Sequence, residues 1–184
     1  RKAKARERIY NIEPLTTQQK FIDSLLNPDH FITLLTSGNQ FGKSFIHIYY
    51  LIAKSWGYLP HSGQPLKVTP YDIALVIPDF KTHGRKVVYQ NVIYSEATEE
   101  TPAGGFLPEE FVEVQTDNQR NPSSFRCRDP RAGKWGKWIW MLSHDQKPKV
   151  FEASTWDHVA FDEPPPRHIV VATMRGLQQR GGKI

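Results

Sequence analysis

The sequence predicts an α/β fold, a three-layer sandwich around a mostly parallel central sheet. Three observations lead there. Apolar runs with the look of buried strands, at 31–36, 73–77 and 158–162, alternate with helix-period segments, and that alternation implies βαβ units with helices on both faces of one sheet. A glycine-containing loop, Ser37-Gly38-Asn39-Gln40-Phe41-Gly42-Lys43-Ser44, follows the first run directly. The third run ends in two acids, Asp162 and Glu163.

Each element follows from local chemistry. Residues 1–12, opening Arg1-Lys-Ala-Lys-Ala-Arg-Glu-Arg8, read as a basic arm, flexible or helical, and residues 13–184 as one domain. Thr16 or Thr17 can cap a short helix through Leu26, with Phe21, Leu25 and Leu26 on one face. Phe31–Thr36 is the first strand. Ser44–Trp56 reads as a helix with a broad apolar face of Phe45, Ile48 and Ile52. Ile73–Ile77 is uninterrupted and apolar, as a central parallel strand should be. Pro78-Asp79 ends it, and a helix over 82–97 is expected next. The stretch 98–119 is acidic and punctuated by Pro and Gly, which reads as surface structure. Ser124–Arg128 and Lys137–Leu142 form a strand pair across a Gly-rich turn. His158–Asp162 is the third buried strand. A helix over 167–179 starts after Pro164-Pro165-Pro166, and Gly181-Gly182 closes it. The last residues, Gly181-Gly-Lys-Ile184, look like the entry to another strand of a longer protein.

Composition excludes several classes. With 184 residues, 39% apolar and 23% charged, the chain can bury a core of ordinary size. No apolar run approaches the roughly 20 residues that span a bilayer, and no secretory signal opens the chain. The single Cys127 excludes an internal disulfide and a cysteine-based zinc site, which fits a reducing cytoplasm. Seven histidines lack metal-ligand spacing, so no zinc site is assigned. The net charge of +5 leans toward a polyanionic partner.

The loop carries the first half of the chemistry. A strand that ends, a glycine turn and a helix that begins together make a nest of backbone N–H groups for a polyphosphate. In that arrangement Lys43 reaches the β- and γ-phosphates of ATP, and the Ser44 hydroxyl ligates Mg²⁺. The common pattern is G-x-x-x-x-G-K-[ST]. Ser37 stands where its first glycine belongs, and Gly38 can supply the permissive backbone instead. The acids carry the second half: neighbouring residues at a strand end point different ways, so Asp162 can hold Mg²⁺ while Glu163 polarises the attacking water as general base.

The pairing of Ser37–Ser44 with Phe161-Asp-Glu-Pro-Pro165 resembles the ATPase domain of the large terminase subunit of tailed bacteriophages. Pro14-Leu-Thr-Thr-Gln-Gln-Lys-Phe21 looks like the upstream glutamine motif of that family, Trp138–Gln146 like the strand and polar turn before its acidic strand, and Arg175–Lys183 like the segment before its coupling motif. The resemblance implies a P-loop NTPase fold of the additional-strand type. It implies a motor that uses ATP and Mg²⁺ to pump double-stranded DNA into a procapsid, in the host cytoplasm. The implied partners are the portal protein, the small terminase subunit and further copies of the chain in a ring. Gln18 is the implied adenine reader, with Gln19 as runner-up. The family's nuclease domain and coupling motif are expected to lie outside this sequence, so no nuclease activity is expected from these residues.

Some relatives carry an arginine inside the loop, where this chain has Asn39, Gln40 and Phe41. An arginine finger is worth about 10³ to 10⁵ in rate. Arg85 is the candidate in cis; Arg126, Arg128 or Arg131 of a neighbouring copy are the candidates in trans. Arg126, Arg128, Arg131, Lys134 and Lys137 interleave with Phe125, Trp135 and Trp138, which reads equally as a DNA- or subunit-facing patch and as a basic hairpin with its aromatics packed inward. Two rivals to the motor are a helicase-type ATPase and an assembly module that binds nucleotide with little turnover.

Overall fold

The computed structural model describes residues 2–35, 42–67, 72–96, 104–152, 155–178 and 183–184. The helices are α1 (Lys2–Glu7), α2 (Thr16–Leu26), α3 (Lys43–Trp56), α4 (Pro148–Glu152) and α5 (Arg167–Gln178), and the strands are β1 (Asp72–Ile77), β2 (Val112–Thr116), β3 (Pro122–Cys127), β4 (Ile139–Ser143) and β5 (Trp156–Phe161). The five strands form one mixed sheet in the order β2-β3-β4-β1-β5. β1 is parallel to both β4 and β5, and β3 is antiparallel to both β2 and β4.

The uninterrupted apolar run in β1 has a direct cause. Ile73, Leu75 and Ile77 join a core with residues of α2 and α3, and Ala74 and Val76 join a second core with Phe151 of α4 and Ile169, Ala172 and Leu177 of α5. Both faces of the strand are dry, so neither carries polar residues.

Beyond β5 the pairing continues at the chain's last residues. The Val159 N–H donates to the Lys183 carbonyl at 2.8 Å, and the Lys183 N–H to the Asp157 carbonyl at 3.0 Å. On the far side, the Ile184 N–H donates to the Phe31 carbonyl at 3.0 Å and the Thr33 N–H to the Ile184 carbonyl at 2.9 Å. Residues 183–184 thus lie between β5 and the 31–33 segment, with which they pair in parallel fashion. The expected strand at 31–36 is present only as this short pairing: residues 32–35 carry no regular strand, and Thr36 lies outside the described residues.

Three other expectations are revised. The cap of α2 falls on Leu15, with both threonines inside the first turn, and the Gln18 Oε1 reaches back to accept the Leu15 N–H at 2.9 Å. The helix expected over 82–97 is instead a pair of wide π-type turns, Phe80–Gly84 and Val87–Val92, that ends at Ile93. The acidic stretch is not all surface: it contains β2, and Phe106 and Leu107 are fully buried.

The basic arm is helical and docked. Ile9 and Tyr10 are buried in the main core, and Arg131 bonds Glu7. The Tyr10 hydroxyl donates to Asp129 at 2.5 Å, the Tyr58 hydroxyl at 2.6 Å, and the N–H groups of Arg131 and Ala132 at 2.8 and 2.9 Å. Burial alone would raise the Asp129 carboxyl, but these donors outweigh it and hold it below its ordinary value. A lowered carboxyl contributes stability that is complete above its ordinary value and is lost as pH falls through the folded one. Asp129→Asn is therefore expected to cost about 2 kcal/mol near neutral pH. Urea unfolding at several pH values checks it: the gap to wild type should begin to narrow below about pH 4 and shrink further as pH falls.

Candidate active site

α3 begins where Gly42 takes a left-handed φ of +67°. A Cβ there would lie 3.1 Å from the Gln18 Nε2, so the position favours glycine by backbone conformation and by space alike. The Ile46 N–H donates to the Gly42 carbonyl at 2.9 Å, the first helical bond. The N–H groups of a helix's first turn have no carbonyl one turn back, so they present partial positive charge at this end. Lys43 and Ser44 are the first two helical residues. Ser37, Gly38, Asn39, Gln40 and Phe41 lie outside the described residues.

The acids arrive from β5. The Asp162 N–H donates to the Val76 carbonyl at 3.0 Å and the His144 N–H to the Ile77 carbonyl at 3.1 Å. The carboxyl ends of β5, β1 and β4 are therefore level. Residues 31–33 run parallel to the same strands. Ligands of α/β sheets bind at this edge.

One cavity of about 500 Å³ occupies it, lined by Lys43, Ser44 and His47 of α3 and by Asp162 and Glu163 after β5. Phe21, Leu25, Ile32, Phe161 and Val170 add apolar wall. The lysine–serine pair and the acidic pair line one cavity. Burial pushes the His47 imidazole down to about 4, with Asp162 pulling the other way. His47 is therefore neutral at physiological pH and adds no charge to the site. His158, just behind it with ring centroids 6.5 Å apart, is likewise held neutral by burial.

Other expected residues are placed differently. Gln18 does not line the cavity; it is buried behind the cavity wall, against Gly42. The Gln19 Nε2 donates to Asp23 at 2.8 Å on the exposed side of α2. Arg85 is not brought to the cavity. In the wide-turn segment, His83, Gly84, Val87 and Val88 turn inward while Lys81, Thr82, Arg85, Lys86, Tyr89 and Gln90 turn outward. Arg85 accordingly lines a separate surface hollow with Lys81 and Lys86. The hairpin arginines each have local partners. Arg126 pairs with Glu113 at 2.6 Å and lies over Trp135 and Trp138, Arg128 donates to the Gly133 carbonyl, and Arg131 lies over Tyr10. Phe125 is fully buried, whereas Trp135 is exposed.

Two residues not singled out from the sequence touch the site. His83 Nδ1 lies 2.5 Å from Asp79 Oδ2, and its Nε2 lies 3.5 Å from Glu163 Oε1. The one signal in the sequence is Asp79 itself, an acid at the carboxyl end of the strand beside β5.

No group of three or more His, Cys, Asp or Glu residues suited to a metal occurs among the described residues. Mg²⁺ does not need one, because one or two carboxylates and substrate phosphates ordinarily hold it. No helix among the described residues is long and apolar enough to cross a membrane. No protein-family model matches the chain, no curated protein matches it in sequence, and no solved structure matches its fold.

Proposed function

We propose that the chain is a P-loop ATPase of the additional-strand type, the motor domain of a large terminase subunit that drives double-stranded DNA into a procapsid. The observation that carries the ATPase reading is the shared cavity: Lys43 and Ser44 at the start of α3 and Asp162 and Glu163 at the end of β5 line one space of about 500 Å³. That volume lies within the ordinary range for small-molecule sites. The pairing of residues 183–184 between β5 and the 31–33 segment supports the additional-strand topology.

The donor set fits Mg²⁺–ATP. Lys43 and the helix N-terminus suit a polyphosphate. The Ser44 hydroxyl and the Asp162 carboxylate are hard oxygen ligands of the kind Mg²⁺ takes. The apolar wall of Phe21, Leu25 and Ile32 suits the flat base. Bound Mg²⁺ would offset charge on the phosphates. Glu163 orients a water and accepts its proton, and Lys43 stabilises the charge that develops on the transferred group. Gln18, against Gly42, is the adenine reader of this proposal through the resemblance alone. With Arg85 turned outward, the arginine that completes the site is assigned to a neighbouring copy in a ring. The portal protein, the small terminase subunit and a cytoplasmic setting at the procapsid belong to this reading through the resemblance alone.

Phosphate release from ATP and Mg²⁺ tests it. Wild type should turn over, and Lys43→Ala should lose both nucleotide binding and turnover. Tight binding with no turnover, even with DNA added, would instead describe a passive nucleotide-binding module.

A further inference from the structure

We propose that His83 is a positioning residue for Glu163, held in place by Asp79, so that the segment after β1 controls the catalytic base. The inference rests on the ATPase reading above.

The geometry is a three-residue relay. β1 and β5 are neighbours in the sheet, with Val76 opposite Phe161. Asp79 and Glu163 therefore leave adjacent strand ends. One Asp79 oxygen accepts the Thr82 N–H at 2.6 Å and starts the wide-turn segment, and the other lies 2.5 Å from His83 Nδ1. These contacts hold the Asp79 carboxyl below its ordinary value, the Thr82 bond contributing most. A ring fixed at Nδ1 can turn only its other nitrogen elsewhere, and Nε2 faces Glu163 Oε1 at 3.5 Å. Glu163 lines the cavity, whereas His83 stands outside it. The contact is therefore made from outside the cavity to Oε1 of a side chain that lines it.

Stability does not explain the arrangement. The side chains of His83, Asp79 and Glu163 are 29, 35 and 58% exposed, and exposed pairs of this kind contribute little to folding. Orientation does explain it: a base must be aimed, and a misplacement of 1 Å can cost about 10²-fold in rate. The segment that carries His83 inward carries Lys81, Arg85 and Lys86 outward. A displacement of the segment would therefore reach Glu163 through His83.

The test measures kcat, the affinity for a fluorescent ATP analogue, and the melting temperature for wild type, His83→Ala, Asp79→Asn, Glu163→Gln and the His83→Ala/Glu163→Gln double variant. His83→Ala should lower kcat roughly 10- to 100-fold, with nucleotide affinity and melting temperature unchanged. Asp79→Asn should lower kcat less. In the Glu163→Gln background, His83→Ala should add no further loss, because the two act as one unit. Wild-type turnover that Glu163→Gln abolishes but His83→Ala leaves intact overturns this inference alone. A loss that is the same in both backgrounds also overturns it. Absence of Glu163-dependent turnover in wild type overturns the ATPase reading together with it.

Discussion

Glu163→Gln is expected to lower ATP turnover by about 10²- to 10⁴-fold, the usual contribution of a general base, while Mg²⁺–ATP binding stays near the wild-type value. The substitution keeps the shape of the side chain and removes its ability to take a proton. On the proposed reading Asp162, one residue earlier, would retain its carboxylate for the metal, and Lys43 its charge for the phosphates. The loss therefore falls on kcat, as expected for a group that acts only in the transition state. A fluorescent ATP analogue reports the binding, and phosphate release reports the turnover. Glu163→Gln with wild-type turnover would remove Glu163 from the chemistry. An equal loss of binding and turnover would give it a structural role.

The second large effect is on the fold. Gly105 has φ +70°, and a Cβ there would stand 2.1 Å from the Ile93 carbonyl oxygen and 2.8 Å from the Tyr94 nitrogen. Those atoms are backbone and cannot swing away. The close approach exists because the Tyr94 N–H donates to the Leu107 carbonyl at 2.7 Å, and the Phe106 and Leu107 N–H groups donate to the Val92 carbonyl at 2.9 and 3.0 Å. That backbone lattice places Phe106 in the core with its ring 4.4 Å from Phe45, next to Ser44. Gly105→Ala combines a left-handed conformation, about 1–2 kcal/mol, with an overpacking cost of about 1–3 kcal/mol. A loss of about 3 kcal/mol or more is expected in urea unfolding, with reduced nucleotide binding through a loosened α3 start. A variant as stable as wild type would refute the packing account.

Much of the sheet was legible because its strands are simple. Ile73–Ile77 and His158–Ala160 are buried, and their largely apolar runs say so directly. β2 was hidden: Val112 and Val114 alternate with exposed Glu113 and Gln115 in an acidic setting, so the period of two reads as solvated loop. The wide turns after β1 were hidden because residue types that favour an α-helix and a π-helix are alike. That register decided the site. It turned His83 inward and Arg85 outward, the reverse of the emphasis that charge alone suggests. Gln18 has the chemistry of a base reader, yet its Oε1 accepts the Leu15 N–H at the first turn of α2. The contact between His83 and Glu163 depends on two strand ends being adjacent, which no local pattern in one sequence encodes. The meeting of Lys43 and Ser44 with Asp162 and Glu163 was legible because chain order and strand direction together send both to one edge.

A crystal structure of the chain with Mg²⁺ and a non-hydrolysable ATP analogue would decide whether the cavity is a nucleotide site. A triphosphate is expected in the cavity between α3 and the end of β5, with Lys43 on its phosphates, the metal against Ser44 and Asp162, and Glu163 facing the γ-phosphate. A nucleotide bound elsewhere, or none at saturating analogue, would contradict it.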